Sequence, residues 1–204
     1  MSDVVATIES NADLRPNLAI LIAGAAAVAV VSALSFPWPV AMTSTVLGAL
    51  MIAGADVDAR TCLLPDTVTW GAAAFGIAAA PLIAALGLDA HDPIVHGPWL
   101  AAGSAFVRAL GTALALALLR GTYARIRGRE GLGFGDVKLA AAVGAWLPLD
   151  AIPLCFGLAA SAALVAVMVA HLRGHSIARA TKLPFGAFLC PSLWLVFYAS
   201  MLPG

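Results

Sequence analysis

The chain has 204 residues, of which 62% are hydrophobic and 11% charged, with Lys and Arg exactly matching Asp and Glu in number (11 of each). A mean hydropathy of +0.97 excludes an ordinary soluble domain, and the absence of a basic surplus excludes a nucleic-acid partner. What remains is an all-α fold, a polytopic membrane helix bundle of about seven spans, forming one integral-membrane domain over residues 1–204.

Residues 1–16 are polar, carry Asp3, Glu9, Asp13 and Arg15, and read as a cytoplasmic N-terminal segment. The first apolar run, Asn17 to Phe36, is not followed by a cleavage site and a polar mature domain, so it reads as a retained span. Pro37 and Pro39 break it, and Val40 to about Asp56 forms the second span. The segment DVDARTCLLPD, Asp56 to Asp66, is the densest polar cluster of the first half. Thr67 to Leu88 is the third span, and the connector after it holds Asp89, His91, Asp92 and His96 without Lys or Arg. Trp99 to Leu119 is the fourth span, interrupted by Arg108, which is expected either to snorkel from a span edge or to pair with a buried acid. A basic loop from Arg120 to Gly135 follows, then a short fifth span, Asp136 to Leu147, and a sixth, Ala151 to Leu172. After a second basic loop with Arg173, Arg179 and Lys182, Phe185 to Leu202 closes the series.

The charges orient this arrangement. With seven crossings, every Lys and Arg except Arg108 falls on one side, and Asp89, Asp92 and Asp150 fall on the other. The excess of basic residues on cytoplasmic loops then puts the N-terminus in the cytoplasm and the C-terminus outside. The spans are rich in Ala and Gly, which let helices approach closely in lipid. Cys62, Cys155 and Cys190 are far apart, and Gly174 interrupts the spacing of His171 and His175, so neither metal nor cofactor is expected. An oligomeric state is not specified.

Two carboxylates stand out. Asp58 ends the second span and Asp136 opens the fifth, and the crossings between them return both to the cytoplasmic interface. Ionisable groups at membrane depth are costly and are functional candidates by default. Two carboxyls brought together in a partly desolvated site share one proton, which supplies an acid and a base for activating water toward a peptide carbonyl. The competing reading makes Asp136 a helix N-cap and Asp58 a solvated flank. Asp56 competes with Asp58, but two positions along a helix point to nearly opposite faces, so only one can meet Asp136. Asp66, behind Pro65, reads as a cap rather than a catalyst. Glu130 and Lys138 read as interface charges, with Lys138 near enough to pair with substrate or lipid headgroups. The alternating Gly131, Gly133 and Gly135 suit a loop that needs unusual dihedrals or close backbone approach.

These stretches resemble the type IV prepilin peptidases, bacterial members of the GxGD class of membrane aspartic proteases. REGLGFGDVKLAAAVGAWLP, with Gly133, Gly135 and Asp136, is similar to that family's glycine-rich motif and the helix after it. DARTCLLPD, Asp58 to Asp66, is similar to the first aspartate segment, and LPFGAFL, Leu183 to Leu189 with Pro184 and Gly186, to a late motif in which Ala187 replaces the usual proline. The resemblance implies that Asp58 and Asp136 are the catalytic pair. It also implies cleavage of a prepilin or pseudopilin after the glycine that ends its basic leader, at the cytoplasmic face of the bacterial inner membrane. The substrate helix would lie in the lipid bilayer beside the bundle. Many members carry a cytoplasmic insertion with paired CxxC motifs after the first span and are linked to N-methylation. Here the connection at Pro37 and Pro39 is minimal, so the expectation is a short-form peptidase, with a bifunctional peptidase and N-methyltransferase as the alternative. A small proton-coupled transporter using the same carboxylates is the rival from another class.

Overall fold

The computed structural model describes residues 15–86, 97–128, 133–173 and 184–202. Among these residues there are seven helices and no strand. They are α1 (Leu18–Ser35), α2 (Trp38–Thr61), α3 (Asp66–Ala85), α4 (Pro98–Arg127), α5 (Phe134–Trp146), α6 (Ala151–Leu172) and α7 (Gly186–Ser200).

Local chemistry sets the ends. The side chain of Asn17 accepts the Ala19 N–H at 3.0 Å and starts α1, and extended Phe36 before Pro37 stops it. Proline opens α2 and α4, where its missing N–H is not needed. Helix α2 closes on Cys62 in the left-handed region (φ 52°), and α4 on Gly128 (φ 63°). A single Gly121 does not break the helix, and α4 runs past Leu119 to a C-cap at Gly128. Arg120, Arg125 and Arg127, expected in a loop, are therefore helical.

Five helices (α1, α2, α3, α4 and α6) are long and apolar enough to cross a bilayer, which makes this a multi-pass membrane protein. The other two differ from the expectation of seven full spans. Helix α5 has 13 residues and α7 has 15, so they rise about 20 and 22 Å at 1.5 Å per residue, short of a hydrocarbon core of about 30 Å. Helix α5 does not need to match the lipid, because from Asp136 to Trp146 every residue except Lys138 is buried in protein. It is the hub of the bundle, packed against α3 and α4 and touching α6 and α7, while α1 lies outside against α2. The polarity is inverted relative to a soluble protein. Leu18, Leu34, Leu118, Leu154 and Leu164 face outward, whereas Ser32, Thr43, Ser44, Thr69, Asp58 and Asp136 are buried. Such a surface suits hydrocarbon.

Small residues make the hub possible. A Cβ on Gly76 would come within 2.7 Å of Trp146 Nε1, whose N–H donates to the Ala72 carbonyl at 2.8 Å and joins α3 to α5. A Cβ on Gly144 would collide with the Arg108 carbonyl and lie 2.6 Å from Thr112 Oγ1, so α4 and α5 touch backbone to backbone. Helices α1 and α2 mesh in the same way, with Gly48 under Val28, Gly24 under Ile52, and a 2.9 Å hydrogen bond between Ser32 Oγ and Ser44 Oγ.

Arg108 belongs to this packing and not to a span edge. It lies about three turns inside α4, where Nη1 donates to Ser104 Oγ at 3.0 Å and Nε to the Gly144 carbonyl at 3.4 Å. Gly144 is in the last turn of α5, where carbonyls lack intrahelical partners and a cation is favoured. Arg108 thus helps to close the short central helix.

Gly144→Ala should therefore destabilise the bundle by about 1–3 kcal/mol through overpacking, read as a lower thermal midpoint in detergent. Gly111→Ala, whose Cβ would meet nothing within 4 Å, should leave the midpoint unchanged or raise it slightly.

Candidate active site

Asp58 lies in the last turn of α2 and Asp136 in the first turn of α5. They are only 3% and 8% exposed, and close enough for their charges to act directly on one another. Asp58 is thus not a solvated flank. Its Oδ2 accepts the Ala187 N–H at 2.7 Å, in the first turn of α7, and it also interacts with the Gly186 N–H. Asp136 is not the N-cap either: Gly133 takes that position, and its N–H donates back to Asp136 Oδ2 at 3.2 Å. Each carboxylate therefore sits at the start of a helix, where free amides and the helix dipole favour an anion. For Asp58 this offsets the unfavourable end of its own helix.

Asp56 points elsewhere. Its Oδ2 accepts the Asn17 N–H and Arg60 Nη2, both at 2.7 Å, and so ties the start of α1 to the end of α2. Two helical positions turn a side chain by about 200°, which is why Asp56 and Asp58 part.

Asp66 is not a cap. Pro65 occupies the cap position and its carbonyl accepts the Val68 and Thr69 N–H groups, leaving Asp66 as the first helical residue, with no side-chain capping bond. Its Oδ1 instead accepts Lys138 Nζ at 2.5 Å. Lys138 also lies 5.0 Å from the centre of the Phe134 ring. Lys138, an interface charge near enough in sequence to pair with substrate or headgroups, here ties α5 to α3.

The motif glycines serve close approach. Gly133 has an ordinary φ of −67°, and the positive-φ glycines among the described residues are Gly97 and Gly128. A Cβ on Gly135 would lie 3.0 Å from Leu64 Cβ, and one on Gly186 would collide with Leu64 Cδ1 and come within 2.9 Å of Asp58 Oδ2. Pro184 is half-buried just before α7. Glu130 lies outside the described residues.

Three contributors were not legible from residue type. One is the Ala187 N–H, which the proline usual at that position in the resembling family would lack. The second is Leu64, apolar within a polar cluster. The third is Cys190, fully buried in α7, with its thiol in electrostatic range of both aspartates. A Cβ on Gly54 would lie 3.1 Å from Cys190 Sγ. Gly54 precedes Asp58 by four residues and Cys190 follows Gly186 by four, a spacing that shares a helix face and was available as a signal.

Comparison with known proteins follows this geometry. Residues 45–169 match the type IV leader peptidase family, a stretch that includes both aspartates. The chain is 35% identical over 155 residues to a prepilin leader peptidase/N-methyltransferase of Dickeya chrysanthemi, covering 72% of this chain and 48% of that protein. The counterpart from Neisseria gonorrhoeae is 33% identical over 155 residues, covering 76% and 48%. The leader peptidase HopD of Escherichia coli is 43% identical over 82 residues, covering 40% and 53%. The chain therefore spans about half the length of the curated relatives it matches. No solved structure matches it.

Ala187→Pro removes the donor to a buried carboxylate at a helix position that otherwise tolerates proline. It should cost about 1–3 kcal/mol in unfolding measured in detergent, whereas Ala187→Gly, which keeps the N–H, should lose well under half of that.

Proposed function

This chain belongs to the type IV leader peptidase family, and from that premise we propose that it is a membrane-embedded aspartic endopeptidase. Its substrates are prepilins or pseudopilins, cut after the glycine that ends their basic leader, at the cytoplasmic face of the bacterial inner membrane. The observation that carries this reading is the burial of Asp58 and Asp136 at one end of the bundle, within range for the charge of one to act on the other.

The chemistry follows from that pairing. Two buried carboxyls whose charges act on one another do not both ionise easily, and the working pair holds one proton. The charged member takes a proton from a water as its oxygen adds to the scissile carbonyl carbon. The protonated member donates to the carbonyl oxygen, and a tetrahedral diol forms. Collapse of the diol breaks the C–N bond, the amine leaves with a proton from the pair, and the leader keeps the new carboxyl. The role of each carboxyl is interchangeable at this level of description, because a coupled pair titrates as a unit.

The charge distribution supports a cytoplasmic site. Arg15, Arg60, Arg125, Arg127, Lys138 and Arg173 lie at helix ends that the connectivity gathers on the side of the two aspartates, and Asp150 lies on the opposite side. A bilayer with basic residues on this face is oriented with it inward. The same placement disfavours a proton-coupled transporter, which would carry its acids near mid-membrane between symmetric halves. N-methylation, which the names of several relatives include, is the second reading and is tested by methyl transfer from S-adenosylmethionine to the cleaved substrate.

In a detergent or liposome assay of leader removal, Asp58→Asn and Asp136→Asn should each lower cleavage by at least about 1,000-fold while thermal unfolding stays cooperative. Asp56→Asn, which loosens only the α1–α2 tie, should retain cleavage within about tenfold. Full activity in either of the first two variants would refute the aspartate mechanism.

A further inference from the structure

Between α2 and α3 the chain runs through Cys62, Leu63, Leu64 and Pro65. Leu63 is 61% exposed, but Leu64 turns inward against the core. Its side chain meets a glycine on each of the three helices that build the site. Cδ1 occupies the place of a Cβ on Gly186 and lies 3.5 Å from that of Gly135, and Cδ2 lies 3.6 Å from that of Gly54. Gly135 directly precedes Asp136, Gly186 directly precedes the residue whose N–H binds Asp58, and Gly54 is one turn before Asp58. One isobutyl group thus fills the gap between the two aspartate-bearing backbones: a Cβ on Gly186 would collide with it and one on Gly135 would crowd it, while Gly54 lies at ordinary contact distance.

The segment is also fixed at both ends. The Cys62 N–H donates to the Asp58 carbonyl at 2.8 Å, and Thr61 Oγ1 and the Leu63 N–H meet at 3.3 Å. Beyond Pro65, whose ring restricts the backbone, Asp66 is held to α5 by Lys138 at 2.5 Å. Leu64 is therefore presented as a wall.

We propose that Leu64 is a specificity-determining residue of the cleavage site: it admits glycine on the leader side of the scissile bond and excludes any residue with a Cβ. This inference rests on the leader-peptidase reading above. To react, the scissile carbonyl must come within about 2.6–3.2 Å of the carboxyl pair or of a water it holds. On this proposal that path brings the substrate backbone alongside Leu64, which already forbids a Cβ at Gly186 and crowds one at Gly135. The side chain offers no hydrogen bond, so its selection is purely steric. The Lys138–Asp66 clamp positions the wall.

The test uses the full-length protein in detergent and a prepilin whose leader ends in Gly or, by substitution, in Ala, with kcat/KM measured for both. Wild type should cut the Gly leader and discriminate strongly against Ala. Leu64→Ala should raise the Ala-to-Gly ratio about tenfold or more, the scale of discrimination set by one or two methylenes. Leu64→Val should raise it less, and Leu64→Met, of similar volume, should keep the wild-type ratio. If Leu64→Ala does not fold, the Val and Met variants alone decide the matter by their order. A ratio that stays within twofold of wild type in Leu64→Ala or Leu64→Val overturns the assignment of Leu64 and leaves the peptidase reading standing. A ratio that rises as much in Leu64→Met as in Leu64→Val also overturns it. Failure of the wild type to cut the Gly leader overturns both.

Discussion

Two acids are buried at one end of the bundle, where helices α2, α5 and α7 meet, and the fold is arranged to tolerate them. A buried carboxylate without partners costs several kcal/mol, and two together repel. The compensation comes from backbone amides: Ala187 at the start of α7 serves Asp58, and Gly133 at the start of α5 serves Asp136. Helix N-termini supply both free N–H groups and a favourable dipole, so they hold anions without adding a counter-charge. A lysine or arginine in their place would bind the pair as a salt bridge and quench its chemistry. Lys138 is close in sequence but is engaged by Asp66.

Holding amides at that place requires two helices to begin near the acids. This accounts for the shortness of α5 and α7, since neither is obliged to reach across the whole hydrocarbon layer. Helix α5 is sheathed by its neighbours, and its far end is closed by Arg108 at the Gly144 carbonyl. The close contacts at Gly76 and Gly144 bring α3 and α4 against it, replacing the lipid contacts that a longer helix would make. In lipid, where burying a leucine against another leucine gains little over burying it in acyl chains, such backbone proximity is what holds helices together.

The polar cluster between α2 and α3 divides its labour. Asp58 turns into the site, while Asp56 and Arg60 secure the start of α1. Asp66 anchors the segment to α5, and Leu64 fills the space between the two glycine-bearing helix starts. Of the three carboxylates between positions 56 and 66, one is buried toward Asp136 and two serve as struts, and the separation follows from helical rotation and from Pro65 ending the loop.

Much of this was determined by the sequence alone, because it depends on composition and local order. Apolar runs separated by prolines, glycines and charge clusters are enough to count the helices, and the segregation of Lys and Arg is enough to bring Asp58 and Asp136 to one interface. The choice of Asp58 over Asp56 needs only the helical period once Asp136 is taken as the partner. What the tertiary structure decided are the relationships between segments distant in the chain. Asp66 is diverted from capping by a lysine 72 positions away, and Asp58 finds its donor 129 positions away at a backbone amide, whose availability no side-chain pattern reports. Arg108 looked anomalous because its contact with the carbonyl end of a neighbouring helix leaves no mark in its own flanking residues. The extension of α4 past Leu119 was likewise hidden, since arginines read as a loop by charge yet form helix readily, and the lone Gly121 among them does not break it. Sequence records which groups are present and how they alternate, whereas the contacts that satisfy a buried charge are made across the bundle and exist only once the helices have packed.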